Sequence, residues 1–207
     1  SSTNTFSGLA AGNYTLHIKD ANGCLKDTIV TITQPTKLII SNIQITEPVC
    51  NGDANGVIIV TGSGGTIAYS YAIDASAYVS SGTFGGLAKG SYTIHLKDAN
   101  NCQVDSNVTM GEPTKIVPTL QVKQSTCFPL NDGRVIVSAT GGVPAYAYAV
   151  GSGLYSSTNT FTPLAAGTYT FHIRDTRLCV KDTTITIIDS TVVNANYTIS
   201  NVKCFGD

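Results

Sequence analysis

A sixteen-residue stretch recurs three times at nearly constant spacing, and it limits the possible folds more than any other feature of the chain. The copies are Leu9–Cys24 (LAAGNYTLHIKDANGC), Leu87–Cys102 (LAKGSYTIHLKDANNC) and Leu164–Cys179 (LAAGTYTFHIRDTRLC). Cys24 and Cys102 are 78 residues apart, and Cys102 and Cys179 are 77 apart. A fixed period of this size marks a tandem array of small domains. Within the copies, Tyr92, Ile94 and Leu96 alternate with Thr93, His95 and Lys97. Period two means a strand with one face buried and one face wet. Asp98-Ala99-Asn100-Asn101 is turn chemistry, and after Cys102 the run QVDSNVTM alternates again. The unit is therefore a hairpin: strand, tight turn, cysteine, strand. Leu-x-x-Gly-x-Tyr precedes it, as Leu87, Gly90 and Tyr92 and again as Leu164, Gly167 and Tyr169. That is the spacing of a tyrosine corner, in which the hydroxyl ties back to the backbone as the chain enters the penultimate strand of an immunoglobulin-like sandwich. These six residues are assigned a structural role.

At this period the chain holds about two and two-thirds repeats, starting inside one and stopping inside another. It reads as a piece of a longer protein. Gln34-Pro35-Thr36-Lys37 and Glu112-Pro113-Thr114-Lys115 punctuate the array, because proline stops a strand ladder. The expected division is 1–34 as the C-terminal part of a repeat, 36–112 and 115–188 as complete repeats, and 191–207 as the first strand of the next. Within 36–112 the pattern predicts about seven short strands, including Leu38–Ile45, Val57–Thr61, Ile67–Ile73 and one or two over Ala77–Phe84. The fold class expected is all-β: tandem immunoglobulin-like (Greek-key) β-sandwich repeats of about 77 residues.

Composition excludes several function classes. Charged residues are 12% of the chain and the net charge is −1, so no basic patch exists to hold nucleic acid. No apolar run reaches membrane-span length, so no membrane insertion is expected in this segment. Trp is absent, and Ser and Thr fill the outward strand positions, as suits neutral extracellular material. A 77-residue unit buries little surface, so cross-links or neighbouring repeats are expected to help it.

Six cysteines stand in register: Cys24, Cys50, Cys102, Cys127, Cys179 and Cys204. No C-x-x-C spacing points to zinc. Periodic cysteines in a Ser/Thr-rich β protein point to disulfides and an oxidising compartment. Pairing within a repeat joins Cys50 to Cys102 and Cys127 to Cys179, both intervals being 52 residues. Against it, the first and last hairpins of a sandwich lie at opposite ends, farther apart than a disulfide reaches. A second pattern joins Cys24–Cys50, Cys102–Cys127 and Cys179–Cys204. Staples between repeats and free thiols complete the possibilities.

Few residues invite chemistry. His17, His95 and His172 take one equivalent outward position per repeat, too far apart to share a metal, and read as surface polar residues. Asn51, Asp53 and Asn55 match the first half of a calcium loop, but Gly62 stands where the bidentate Glu belongs. An Asn/Asp/Gly turn is the better reading, and no metal or cofactor is expected. No nucleophile–base–acid set and no phosphate loop is visible, so the chain is not expected to be an enzyme. Tyr69 and Tyr71, with Tyr146 and Tyr148, could form a sugar-stacking face if they point outward, but core packing is the better reading.

The combination CNGDANGVIIVTGSGGTIAYSYAI, GLAKGSYTIHLKDANNC and TMGEPTKI closely resembles the SprB-type repeat of gliding-motility adhesins and other giant cell-surface proteins of Bacteroidota. The residues that carry the resemblance are Cys50, Gly64-Gly65, Tyr69, Leu87, Gly90, Tyr92, Asp98 and Cys102. The third repeat departs from it, with Thr176-Arg177-Leu178 in place of an Asn-Gly turn. The resemblance implies export through the type IX secretion system, display on the bacterial cell surface, and a part in adhesion or gliding. The function expected is a structural segment of a long extracellular adhesin or filament, giving reach, stiffness and attachment. The alternatives are a polysaccharide-binding module and the passive stalk of a secreted surface enzyme. The partners expected are other repeats of the same chain, other copies of it in a filament, and surface polysaccharide.

Overall fold

The computed structural model describes residues 4–126, 130–189, 198 and 199. Every regular element among them is a strand: β1 (Gly12–Lys19), β2 (Leu25–Ile32), β3 (Ile39–Thr46), β4 (Gly56–Ser63), β5 (Ser70–Ile73), β6 (Thr83–Leu87), β7 (Gly90–Lys97), β8 (Gln103–Met110), β9 (Val117–Lys123), β10 (Gly133–Thr140), β11 (Ala147–Val150), β12 (Thr160–Leu164), β13 (Gly167–Arg174) and β14 (Val180–Ile187). The strand expected in 191–207 falls outside the described residues, apart from 198 and 199.

The chain divides into two compact units. Among the described residues, the first takes in those of 4–46, 57–85 and 90–110, and the second those of 47–56, 86–89, 111–126 and 130–189. In the first unit, β3-β4-β6 form one sheet and β5-β7-β8 another. In the second, β9-β10-β12 and β11-β13-β14 repeat that order. This is the A-B-E and C-F-G pairing of an immunoglobulin-type sandwich without a D strand. Each pair of sheets has six strands, where about seven were expected. The strand expected over 67–73 begins only at Ser70, because the preceding residues form a turn, and the stretch 77–84 supplies one bridge (Val79 to Tyr71) before β6.

The buried residues follow the alternation in the sequence. In the first unit Ile58 and Val60 on β4 and Ile94 and Leu96 on β7 are buried, with Tyr71 and Met110. In the second, Val135, Val137, Tyr148, Phe171, Ile173 and Ile187 form the equivalent core, with Phe161 and Phe171 rings 5.0 Å apart. Each core side chain here removes about 1.5–3 kcal/mol worth of apolar surface from water. Hairpin β1–β2 has the same register as β7–β8 and β13–β14: Tyr14 faces Val30 as Tyr92 faces Val108 and Tyr169 faces Ile185.

Candidate functional site

The feature common to the three hairpins is an aspartate that closes the turn and presents a cysteine. Asp20 Oδ1 accepts the N–H of Asn22 and of Cys24, at 2.9 and 2.8 Å. Asp98 Oδ1 accepts those of Asn100 and Cys102, both at 2.9 Å. Asp175 Oδ1 accepts those of Arg177 and Cys179, both at 2.9 Å. Thr176-Arg177-Leu178 therefore builds the same turn as Asn-Gly or Asn-Asn. Leu178 adopts φ +69°, where Asn101 has +63° and Gly23 has +89°.

The second carboxylate oxygen latches the hairpin to the Gly-Gly turn. Asp98 Oδ2 takes the N–H of Thr66 at 2.9 Å, and Asp175 Oδ2 takes that of Val143 at 2.9 Å. The Thr66 amide, followed by those of Cys102 and Asn100, holds the Asp98 carboxyl below the usual carboxylate range. Gly65 lies at φ +58°, and a Cβ there would stand 2.6 Å from Asp98 Oδ2. Its N–H bonds the Thr36 carbonyl at 2.7 Å, as Gly142 bonds Thr114 at 2.8 Å. Tyr69 donates to the Gly64 carbonyl at 2.6 Å, and Tyr146 donates likewise to Gly141. The tyrosine pairs are thus spent on structure. Tyr71 and Tyr148 are buried, and Tyr69 and Tyr146 are half-buried with their hydroxyls engaged. No outward stacking face comes from them. The tyrosine corner forms as the spacing implies: Tyr14 donates to Ala10 O at 2.9 Å and Tyr169 to Ala165 O at 3.1 Å.

Beside each of the last two hairpins runs a groove. In the second unit it is lined by Pro113–Ile116, Gly142, Asp175 and Cys179, with Cys50, Asn51 and Asp53 of the loop Glu47–Gly56 on its other side. Cys50 of that loop is bonded to Cys179, with Cα atoms 5.5 Å apart. Asn51 Nδ2 donates to the Pro113 carbonyl at 3.1 Å, and the Gly52 N–H donates to Glu112 Oε2 at 2.8 Å. The Gly52 amide is the main reason the Glu112 carboxyl sits below its ordinary range, with Lys89 adding to it from 3.5 Å. The loop is shaped from within, since Asn55 Oδ1 accepts the Val49 N–H at 2.9 Å and Asn55 Nδ2 donates to Asp53 at 3.2 Å. The calcium candidates Asn51, Asp53 and Asn55 thus shape and seat the loop. No cluster of three or more His, Cys, Asp or Glu residues suited to a metal occurs among the described residues.

This connectivity corrects both spacing-based patterns. Cys50 pairs with neither Cys102 nor Cys24, and Cys179 with neither Cys127 nor Cys204. Cys24 and Cys102 are free and exposed, while Cys127 and Cys204 lie outside the described residues. The reason is length. Cys102 shares a groove with residues 34–38, which precede β3, whereas Cys50 follows β3. An eight-residue strand spans roughly 25 Å, far beyond the reach of one disulfide. Each histidine faces an aspartate across its hairpin: His17 and Asp27 at 2.7 Å, His95 and Asp105 at 2.8 Å, His172 and Asp182 at 2.7 Å.

Two stretches, 42–77 and 119–154, match the family model of the SprB repeat. They take in the Cys50 loop and both Gly-Gly turns. No curated protein sequence matches the chain. Among solved structures, the chain is similar to a C-terminal 282-residue fragment of intimin, crystallised with the intimin-binding domain of the translocated intimin receptor. The identity is 14% and the TM-score 0.39, over 72% of this chain. The chain spans 64% of that fragment's length. It is also similar to murine CEACAM1b, at 15% identity and a TM-score of 0.32, over 74% of this chain and 100% of the other. At these scores neither likeness bears on the fold, which rests on the strand order above. With that strand order and the Asp-latched hairpins, the chain holds two stretches, 42–77 and 119–154, that match the SprB repeat.

Proposed function

We propose that the chain is a structural segment of a long cell-surface adhesin or filament, in which tandem repeats give reach, stiffness and attachment. The SprB repeats support the coarser part of this reading, a surface adhesin-type repeat segment. The observation that carries the rest is the Cys50–Cys179 disulfide. It joins a loop lying between two strands of one repeat, taken as 36–112, to the last hairpin of the next, taken as 115–188. A bond of this kind passes tension from repeat to repeat through covalent atoms. It also belongs to an oxidising compartment, which supports an extracellular location. The polar side chains in unusual settings work on the fold itself. Asp98 and Asp175 bind backbone N–H groups, and Asp132 binds Lys123 and the Thr126 N–H. That supports a non-enzymatic role. Display in Bacteroidota through type IX secretion, and a part in gliding, complete the proposal on the strength of the family resemblance.

The test is immunogold labelling of intact, non-permeabilised cells with antibody to residues 36–188, followed by electron microscopy of protein sheared without reductant. The expected result is label along extended strands leaving the cell. Label seen only after permeabilisation would overturn the proposal.

A further inference from the structure

We propose that the groove beside Cys102 is a receptor for a cysteine-bearing loop of the Cys50 type, supplied by the repeat whose last hairpin is β1–β2, and that Cys102 forms a disulfide with it. The inference stands on the comparison of two grooves in one molecule and does not rest on the adhesin reading.

The two grooves match residue by residue. Pro35, Thr36, Lys37 and Leu38 in the first take the places of Pro113, Thr114, Lys115 and Ile116 in the second. Gly65, Asp98 and Cys102 take those of Gly142, Asp175 and Cys179. The bonds that set the cysteine are the same, from Asp98 Oδ1 to Cys102 N and from Asp175 Oδ1 to Cys179 N, each 2.9 Å. The acceptors for the loop recur as well. Asn51 in the filled groove binds the Pro113 carbonyl and Gly52 binds Glu112. Pro35 and Gln34 stand at those positions in the other, each offering an oxygen. What differs is cover: Cys179 is 8% exposed beneath its loop, whereas Cys102 is exposed and free.

The source of the loop follows from the hairpin that precedes the groove. In β7–β8 and β13–β14 the positions of Leu16 and Ile32 are held by Ile94 and Met110 and by Phe171 and Ile187, all fully buried. On β1–β2, Leu16 and Ile32 are half-exposed and Val30 is 41% exposed. No strand among the described residues opposes this face, and in the complete repeats the opposing sheet carries the loop in question, between β3 and β4. One missing element thus accounts for both the bare face and the open groove. The bond spacing agrees. The observed disulfide spans 129 residues, one period plus the 52 within a repeat. In forming the new bond, the two thiols give up two electrons and two protons to a disulfide-bearing oxidoreductase, which leaves as its dithiol.

Cys24 provides an internal control. It has the same Asp-closed turn and is also exposed, but no counterparts of 34–38 and 64–65 flank it among the described residues. The probe is a peptide of sequence EPVCNGDANG, identical to 47–56, carried as a mixed disulfide with thionitrobenzoate. A protein thiolate attacks the peptide sulfur and releases thionitrobenzoate, and mass mapping locates the adduct. The expected result is attachment to Cys102 at least ~10-fold faster than to Cys24, with the preference lost for a scrambled peptide and reduced for a peptide carrying Asn51→Ala. Equal rates at the two cysteines, or no difference from the scrambled peptide, would overturn the proposal. Disulfide mapping of the native polypeptide without reduction should join Cys102 to a loop cysteine about 129 residues ahead of it. Cys102 recovered as a free thiol, or joined to Cys127 of a second copy, would also overturn it.

Discussion

Breaking the Cys50–Cys179 bond should cost the protein a large part of its stability and release a long stretch of hidden length. The ring it closes spans 129 residues and takes in every strand from β4 to β13. In the chain-entropy treatment, a loop of that size loses about 17 cal/mol/K when cross-linked, or about 5 kcal/mol at 25 °C. Small domains have only about 5–15 kcal/mol in total. Removing the bond with Cys50→Ser and Cys179→Ser together should therefore move the urea midpoint by far more than an ordinary surface substitution does. The mechanical consequence can be measured directly. When the chain is pulled from its ends, residues between 50 and 179 cannot extend while the bond is intact. Reduction should add roughly 430–460 Å of contour length, from 129 residues at about 3.3–3.6 Å each. The assay is single-molecule force spectroscopy with and without reductant. Equal contour lengths in the two conditions would refute the assigned pairing. A double variant within ~1 kcal/mol of the parent protein would refute the entropic account.

Asp175→Ala should destabilise the second unit by at least ~3 kcal/mol, because it strips the N–H groups of Val143, Arg177 and Cys179 of their acceptor at a buried site. Chemical denaturation monitored at the tyrosines measures this, and a loss below ~1 kcal/mol would contradict the latch. Acid should weaken the fold in a defined window. Thr66 is the main cause of the lowered Asp98 pKa, and a hydrogen bond from Lys123 is the main cause that pushes Asp132 to about 2. Folded pKa values below the unfolded ones give stability that is complete above roughly pH 5 and is lost as the pH falls toward 2. Urea midpoints should hold from neutral pH to about pH 5 and then decline, with a shallower decline in Asp132→Asn; an identical decline in that variant would exclude the Lys123–Asp132 contact as a cause. Leu178→Asn should stabilise the protein by about 1 kcal/mol, since Leu178 is 67% exposed and held at φ +69°; a lower thermal midpoint would show that its side chain supports the loop in the groove.

Much of the site was open to reading from residues alone because it depends on local chemistry. Alternation over Tyr92–Lys97 specified a strand and its buried face, since successive side chains must point opposite ways. Leu-x-x-Gly-x-Tyr specified the corner, because the tyrosine hydroxyl reaches a carbonyl only four residues back, as Tyr14 and Tyr169 do. Gly64-Gly65 was visible as a motif, but its purpose was not. The reason for Gly65 is Asp98, 33 residues later in the chain, whose carboxylate occupies the space a Cβ would need. The early start expected for the strand at Ile67 failed for a related cause: Thr66 gives its N–H to that same carboxylate.

The period, the all-β class and the hairpin with its cysteine were determined by the sequence itself, because each rests on contacts between residues close in the chain. The cysteine partners were not. In a tandem array a pairing of 52 residues and one of 129 are equally regular, since they differ by one period, and spacing cannot separate them. Only the tertiary structure decides. Strand β3 carries Cys50 one strand length from the groove beside Cys102, and the loop it sits on is shaped to fit the groove beside Cys179.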